Sequence, residues 1–292
     1  MTLASPQPAV HAPVPTASPG TGNPELISLT PSGRSRRLPT VPRWLRRAGG
    51  PAILLLLWWI GSATGVLHPD VIASPAAVLS RAVALWEAGD LPSAIVTSSR
   101  RVLIGFVIGA ALAVVLALAA GLVRIGEDLL DSSLGMLRMV PWVGLIPLFI
   151  IWFGIDEEPK IALVALGVLF PLYFNIFGAI RGVDAGLIEA GETLGLNRWG
   201  MIRHVILPAA FPGSLIGLRY SLGTAWLALV FAEQINAGSG IGYLMDTARQ
   251  FFQTDAIVVC LVVYAILGLL CDQFVRLLSR LLLSWQSTFD GK

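Results

Sequence analysis

A few charged side chains interrupt the long apolar segments of this sequence, and they are the residues best suited to chemistry. Arg219 lies inside one apolar segment, and Asp272 and Arg276 lie inside another. An acid four positions before an arginine on a helix pairs with it, so Asp272 and Arg276 are predicted to form a structural ion pair. A charge inside an apolar segment usually faces a polar cavity or a partner. Arg219 therefore either stabilises an anion or pairs with carbonyl groups, Asn175 or another segment.

The sequence carries no residue pattern typical of an enzyme or of a nucleotide site. Its three histidines lie outside the apolar segments, and its acids do not converge there with a nucleophile. The phosphate-binding pattern G-x-x-x-x-G-K-S/T is absent. We therefore predict no catalytic residue, no metal ligand and no directly bound cofactor. An ion-coupled secondary transporter, which needs a coupling-ion site and usually internal repeats, is the alternative from a different class.

The elements that position these residues are predicted to be membrane helices. Of 292 residues, 55% are hydrophobic and 13% are charged, whereas soluble domains carry about one quarter charged residues. A crossing helix needs about 20 residues. The predicted spans are Pro51–Leu67, Arg101–Val123, Leu134–Phe153, Ile161–Ile180, Ala209–Glu233 and Ala256–Leu283. We therefore expect an all-α, polytopic membrane protein with six transmembrane helices. The net charge of +2 gives no sign of a nucleic-acid partner.

The chain is predicted to divide into a leader, a membrane domain and a tail. Residues 1–48 are Pro-rich and expected to be disordered, 49–285 form the membrane domain, and 286–292 form a cytoplasmic tail. The first apolar segment is either a retained helix or part of a signal peptide, and the long leader before it favours the helix. Most arginines fall on the side of the N-terminus, which puts both termini in the cytoplasm, although Arg100 and Arg101 fall on the other side.

Helices are also predicted outside the spans. The stretch Ser74–Asp90, on the outer side, repeats apolar residues at helical spacing and is predicted to be amphipathic.

A polar insert, residues 181–208, lies on the cytoplasmic side before the fifth span. Asp184 is predicted to begin a first short helix there, Gly195 to end it, and Asn197 to begin a second that runs to Ile206. Loops between spans are usually only a few residues long. An insert of this length buries its own apolar side poorly, so it is predicted to be a docking surface.

The insert resembles the EAA loop of binding-protein-dependent ABC transporter permeases, whose order is E-A-A/G-x3-G-x9-I/V-x-L-P. The matching residues are Glu189, Ala190, Gly191, Gly195, Val205, Leu207 and Pro208. Gly191 and Val205 stand where alanine and isoleucine are commonest. The stretches Val140–Asp156 and Ala232–Asp255 resemble permeases for sulfonates, nitrate and taurine, and the second is most similar to aliphatic-sulfonate permeases.

The resemblance implies a MetI-like permease of a type I ABC importer in the bacterial inner membrane. The partners it implies are a second copy of this subunit, a cytoplasmic ABC ATPase dimer that binds ATP and Mg²⁺, and a periplasmic substrate-binding protein. The residues it assigns to ATPase coupling are Glu189, Ala190, Gly191, Gly195, Leu207 and Pro208. By alternating access the complex would import a small organic anion past Arg219, with aliphatic sulfonate expected and nitrate or taurine as alternatives.

Overall fold

The computed structural model of the chain describes residues 43–68, 71–123 and 126–283. The chain divides into two units, one ending at Gly49 and the other beginning at Gly50, and the helix bundle belongs to the second. All regular structure in the described residues is helical, which confirms the predicted all-α class. The predicted leader up to residue 42 and the predicted tail at 286–292 lie outside the described residues.

The described residues form helices of very different length. In chain order they are α1 (Arg43–Ala63), α2 (Pro75–Glu87), α3 (Asp90–Leu122), α4 (Ser132–Leu137), α5 (Ile146–Phe153), α6 (Glu158–Arg181), α7 (Ala185–Thr193), α8 (Arg198–Met201), α9 (Leu207–Asn236), α10 (Ile241–Gln250) and α11 (Thr254–Leu282). Two π-helical turns, Glu127–Asp131 and Ile202–Ile206, precede α4 and α9. The predicted amphipathic helix between the first two spans is confirmed as α2.

Within the part of the chain that the structure describes, four helices are long and apolar enough to cross a membrane. They are α3, α6, α11 and a continuous helix, Arg198–Ile235, that joins α8 to α9. The apolar part of α1, Gly49–Ala63, is shorter than the roughly 20 residues of a full crossing. The first predicted span therefore ends at Ala63 instead of Leu67, because the chain turns at Gly65, whose φ is +75°.

The third predicted span, Leu134–Phe153, is not the continuous helix that was expected. The segments Glu127–Leu137 and Trp142–Phe153 meet at 83°, as a broken span or a re-entrant loop. The break falls at Pro141, whose backbone is extended with φ −66° and ψ 100°. Proline has no N–H to donate and disfavours helical backbone at the residue before it, so the helix ends there.

Helix α6 packs between α3 and α9 and forms the centre of the bundle. Small residues recur every four positions along the buried side of α3, at Gly105, Gly109, Ala113 and Ala117. Gly109 leaves no room for a side chain, because a Cβ there would overlap the carbonyl oxygen of Ala165 on α6. Close contact of backbones is what holds helices together where lipid offers no hydrophobic driving force.

The bundle has two ends, the connecting end and the opposite end. The connecting end is where α6 ends and where α7 and α8 lie. The opposite end is where α3, α6 and α11 begin and α9 ends. There α2 and α10 pack on α11 through an apolar cluster that includes Val78, Leu85, Ala248 and Val259.

Candidate functional site

The predicted insert folds, as expected, into two short helices joined by a tight turn. Asp184 caps α7, its side chain accepting a hydrogen bond of 2.7 Å from the N–H two residues on. At the other end, Gly195 donates to the Glu192 carbonyl at 2.9 Å and Leu196 donates to the Gly191 carbonyl at 3.1 Å. These two bonds define a Schellman turn, and Gly195 has the positive φ, +76°, that this turn requires. A side chain at this position would strain the turn.

The second helix of the insert differs from the prediction at its end. Asn197 caps α8 as expected, accepting a hydrogen bond of 2.7 Å from Gly200. The helix does not stop at Ile206, however, and runs through the π-helical turn into α9. The wider turn gives room to the ring of Pro208, which in a regular α-helix would clash with the carbonyl four residues back. The insert and the span that follows it are therefore one helix.

The outer face of the insert is apolar and open. Leu187, Leu194 and Trp199 are exposed, Leu194 to 81%. Ala190, Val205 and neighbouring residues line a groove of about 500 Å³ between α7 and the start of α9. Exposed apolar residues gathered around a groove are typical of a docking surface.

Five of the six residues predicted to contact an ATPase are exposed on the insert: Glu189, Ala190, Gly195, Leu207 and Pro208. The sixth, Gly191, is buried against Met201. A Cβ at Gly191 would lie 2.8 Å from the Met201 methyl carbon, so an alanine would require that side chain to move. Glycine in place of the commoner alanine thus fits the methionine that packs beneath it.

Arg219, Asp272 and Arg276 come together in one group, which we call the Asp272 cluster. One carboxylate oxygen of Asp272 accepts a hydrogen bond from Nε of Arg276 at 2.8 Å, and the other accepts from Nε of Arg219. Arg219 therefore pairs with another span. Asn175 donates instead to the Pro171 carbonyl at 2.8 Å. Asp272 is about 15 Å from the end of α11 and about 27 Å from its start, so the cluster lies nearer the connecting end.

A second group of charges, which the sequence did not predict, is buried at the opposite end; we call it the Arg101 cluster. Arg101 donates to both carboxylate oxygens of Glu157, through Nε at 2.7 Å and Nη2 at 2.5 Å. Its Nη1 donates to Glu233 at 2.6 Å and to the Ser239 carbonyl at 2.6 Å. The side chain of Arg101 is 1% exposed and that of Glu233 is 0% exposed. The cluster joins α3, the start of α6 and the end of α9.

Glu233 has several further hydrogen bonds that fix the start of α10. The Ser98 hydroxyl donates to it at 2.8 Å, the Gly242 N–H at 2.8 Å and the Tyr264 hydroxyl at 3.3 Å. The Ser98 oxygen in turn accepts from the Ile241 N–H at 2.9 Å. A buried carboxylate is tolerated when each of its oxygens is bonded in this way.

Once the structure is known, one feature of the sequence can be seen to indicate the Arg101 cluster. Arg100 and Arg101 fall on the side of the membrane that is predicted to be the outer one and to hold fewer arginines. Arg100 is exposed, but Arg101 is neutralised by two carboxylates that are 56 and 132 positions away. An arginine on the unfavoured side is thus a reason to search for acids at the same ends of other spans.

Among the described residues outside the spans, two carboxyl groups have shifted pKa values. Hydrogen bonds from Arg101 hold the pKa of Glu157 below its ordinary value of 4.5, although partial burial acts the other way. On α10, hydrogen bonds from Arg249 and then Gln250 lower the pKa of Asp246. Both groups are therefore carboxylates at neutral pH, each held by an arginine.

Comparison with known proteins identifies relatives across most of the chain. Residues 105–284 match the family described as binding-protein-dependent transport system inner membrane component. A protein of Escherichia coli provisionally named aliphatic sulfonates transport permease protein SsuC is 46% identical over 86% of this chain and 97% of its own length. A Bacillus subtilis protein of the same name is 42% identical over 85% and 90%. The taurine transport system permease protein TauC of Escherichia coli is 31% identical over 81% and 88%.

Proposed function

Since the chain belongs to the binding-protein-dependent transport system inner membrane components, and so is the permease of an ABC importer, we propose that its cargo is a small aliphatic sulfonate. The observation that carries this proposal is the similarity, at 46% and 42% identity, to two permeases named for aliphatic sulfonates. The relative at 31% identity is named for taurine, which also carries a sulfonate group, and taurine is the second candidate. None of these three relatives is named for nitrate.

The energy for transport comes from a partner subunit. The sequence has no phosphate-binding loop of the pattern G-x-x-x-x-G-K-S/T, which supports a permease without its own nucleotide site. ATP and Mg²⁺ are held by a cytoplasmic ABC ATPase dimer, and a periplasmic binding protein delivers the sulfonate. A second copy of this chain completes the pathway through the membrane.

The ATPase docks on the insert at the connecting end. The exposed positions Glu189, Ala190 and Gly195 and the groove of about 500 Å³ beside α7 support this assignment. The Schellman turn and the two side-chain caps give the insert a fixed shape before any partner binds. A preformed surface loses less conformational entropy on docking than a flexible loop does.

Movement of the insert reaches the membrane through the helix Arg198–Ile235. Because no break separates α8 from α9, displacement of the docked ATPase shifts Arg219 along with the insert. Arg219 lies on the pathway of the anion, and its half-exposed side chain supports this role. The complex alternates between states open to either side, and differential binding of nucleotide and cargo selects between them.

The connecting end faces the cytoplasm of the bacterial cell, and both termini lie there. The Arg101 cluster supports this orientation, since two acids neutralise one of the arginines that fall on the periplasmic side. The predicted leader and tail, 1–48 and 286–292, are cytoplasmic extensions of the membrane domain at 49–285.

Uptake of labelled ethanesulfonate, taurine and nitrate tests the cargo. Cells that produce the ATPase and binding protein are compared with and without this chain. We expect ethanesulfonate uptake to require the chain and the ATPase together. Uptake of nitrate alone contradicts the proposed cargo, and uptake that survives loss of the ATPase points instead to an ion-coupled secondary transporter.

A paired substitution tests the docking surface. Leu194→Asp puts a charge on the exposed apolar face of the insert, so we expect the ATPase to be lost on co-purification while the permease is still inserted in the membrane. Phe252→Asp is the matched control, because Phe252 is an equally exposed apolar residue, at 89%, but lies at the opposite end. Equal ATPase recovery with both variants contradicts docking on the insert.

A further inference from the structure

The Asp272 cluster has an unequal number of charges. Two guanidinium groups, of Arg219 on α9 and Arg276 on α11, share the single carboxylate of Asp272. The cluster therefore carries one positive charge that no carboxylate within it balances. Arg276 lies one helical turn from Asp272 on the same helix, whereas Arg219 reaches the carboxylate from a different helix.

Both arginines still have free donors for a second anion. Each bonds the carboxylate through Nε, and within the described residues no hydrogen bond involves the Nη groups of either. The two side chains are 50% and 49% exposed, and that of Asp272 is 22% exposed. A guanidinium binds an oxyanion best through a pair of parallel N–H donors. That pair is available on Arg219.

The cluster opens into a cavity of suitable size. An open cavity of about 650 Å³ is lined by Arg219, Tyr220, Thr224, Cys271, Asp272 and neighbouring residues. Sites for small molecules commonly have volumes of about 300–1,000 Å³, with a few polar groups in a largely apolar lining. Arg219 and Asp272 are the charged residues among those that line it.

We infer that the Asp272 carboxylate is the resting counter-ion of Arg219 and that the transported sulfonate replaces it there. This inference rests on the proposed function and adds the residues by which the anion is recognised. The sulfonate oxygens take the free donors of Arg219 while Nε leaves Asp272. No bond other than hydrogen bonds is made or broken.

The second arginine, Arg276, lowers the free-energy cost of this exchange. A carboxylate left without a partner inside the membrane is costly. Arg276 stays bonded to Asp272 at 2.8 Å when Arg219 leaves, so that no unpaired charge results. The exchange therefore needs all three residues. Arg219 passes from one anion to the other, Asp272 is its resting counter-ion, and Arg276 keeps the Asp272 carboxylate paired during the exchange.

Two substitutions with opposite expected effects test the inference. Binding of ethanesulfonate is measured on the purified complex with its ATPase in phosphatidylcholine nanodiscs. Asp272→Asn removes the competing carboxylate and should tighten binding about fivefold, the upper range for a partly exposed ion pair. Arg276→Met leaves Asp272 dependent on Arg219 and should weaken binding by a similar factor. A purely structural ion pair would move both variants in the same direction, which would overturn the inference.

Controls separate this result from other causes. Asp246→Asn removes a carboxylate that is also paired with an arginine but lies on α10, and it should leave binding unchanged. Repeating the measurement with phosphatidylglycerol tests whether a lipid phosphate is the true occupant: if the effect of Asp272→Asn disappears there, the lipid occupies Arg219 and the inference fails. Wild-type ethanesulfonate uptake, measured in parallel, reports on the proposed function independently of these variants.

Discussion

The two charge clusters of this chain differ in the ratio of their charges and in their exposure. In the Arg101 cluster one guanidinium is shared by the carboxylates of Glu157 and Glu233, and every donor of Arg101 that the structure describes has a partner inside the protein. In the Asp272 cluster one carboxylate is shared by two half-exposed guanidinium groups. One lies at the opposite end of the bundle, and the other lies nearer the connecting end.

This difference distinguishes a joint, meaning a group of ion pairs that fixes helix ends together, from a contact that can exchange partners. Breaking a buried ion pair leaves a charge without water or partner, and removal of one member costs about 3–5 kcal/mol. The pair of Arg219 and Asp272 is worth only about 0–1 kcal/mol, because Arg219 is half-exposed and Asp272 keeps Arg276 as a partner when Arg219 leaves. The Arg101 cluster therefore holds the ends of α3, α6 and α9 in place, whereas in the exchange that we infer the Asp272 cluster releases one member during transport.

The largest effect is expected from Arg101→Met. This variant leaves Glu233 buried without its cation and should lower the free energy of unfolding by about 3–5 kcal/mol. Thermal unfolding of the detergent-purified permease, and its yield from the membrane, measure this loss. Arg100→Met is the matched control, because Arg100 is the exposed neighbour and should unfold as the wild type does. Equal stability of the two variants would show that the buried cluster is not a joint.

The next effect is expected from Arg219→Met, and it should appear in transport and not in assembly. Loss of a charged hydrogen-bond donor costs about 1.5–3 kcal/mol at a site that binds an anion, so uptake of ethanesulfonate should fall about ten- to one hundredfold. Co-purification of the ATPase and the second copy checks assembly. If the complex falls apart as well, the Asp272 cluster is a structural joint like the other one and the contrast between them fails.

The smallest effect is expected from low pH, which protonates Glu157, the outermost member of the Arg101 cluster. Arg101 lowers the pKa of Glu157, so its carboxylate stabilises the fold at pH values above the ordinary 4.5 and loses this contribution as the pH falls through the lowered pKa. The side chain is 39% exposed, so the contribution is below about 1 kcal/mol. Melting temperatures of wild type and Glu157→Gln should differ at pH 7 and converge in acid. The exposed neighbour Glu158→Gln should show no such convergence, and a constant offset for Glu157→Gln would contradict the assignment.

The parts of the fold that depend on neighbouring residues could be predicted from the sequence. Asp184, Gly195 and Asn197 cap or end the insert helices where they were expected to, because capping involves atoms only two to four residues apart. The four long spans follow from apolar length alone. The family was identified by the resemblance of residues 189–208 to the EAA loop of known permeases, and the match over residues 105–284 confirms it.

The parts that depend on distant residues could not be predicted. Whether Pro141 bends or breaks a membrane helix depends on what surrounds it, since neighbouring helices can satisfy the freed carbonyls. The partner of Arg219 is 53 positions away, and those of Arg101 are 56 and 132 positions away. Sequence spacing on one helix identified the pair of Asp272 and Arg276, but it cannot reveal a third member on another helix.

A mechanical ratio follows from the unbroken helix Arg198–Ile235, which carries Glu233 near one end and Arg219 between that end and the insert. If the helix behaves as a rigid lever with its fulcrum at the anchored Glu233, Arg219 is about 21 Å from the fulcrum and Arg198 about 52 Å. A sideways displacement of Arg198 then reaches Arg219 at about 40% of its original amplitude. A displacement of several ångströms at Arg198 thus becomes a displacement at Arg219 that is comparable to the length of one hydrogen bond.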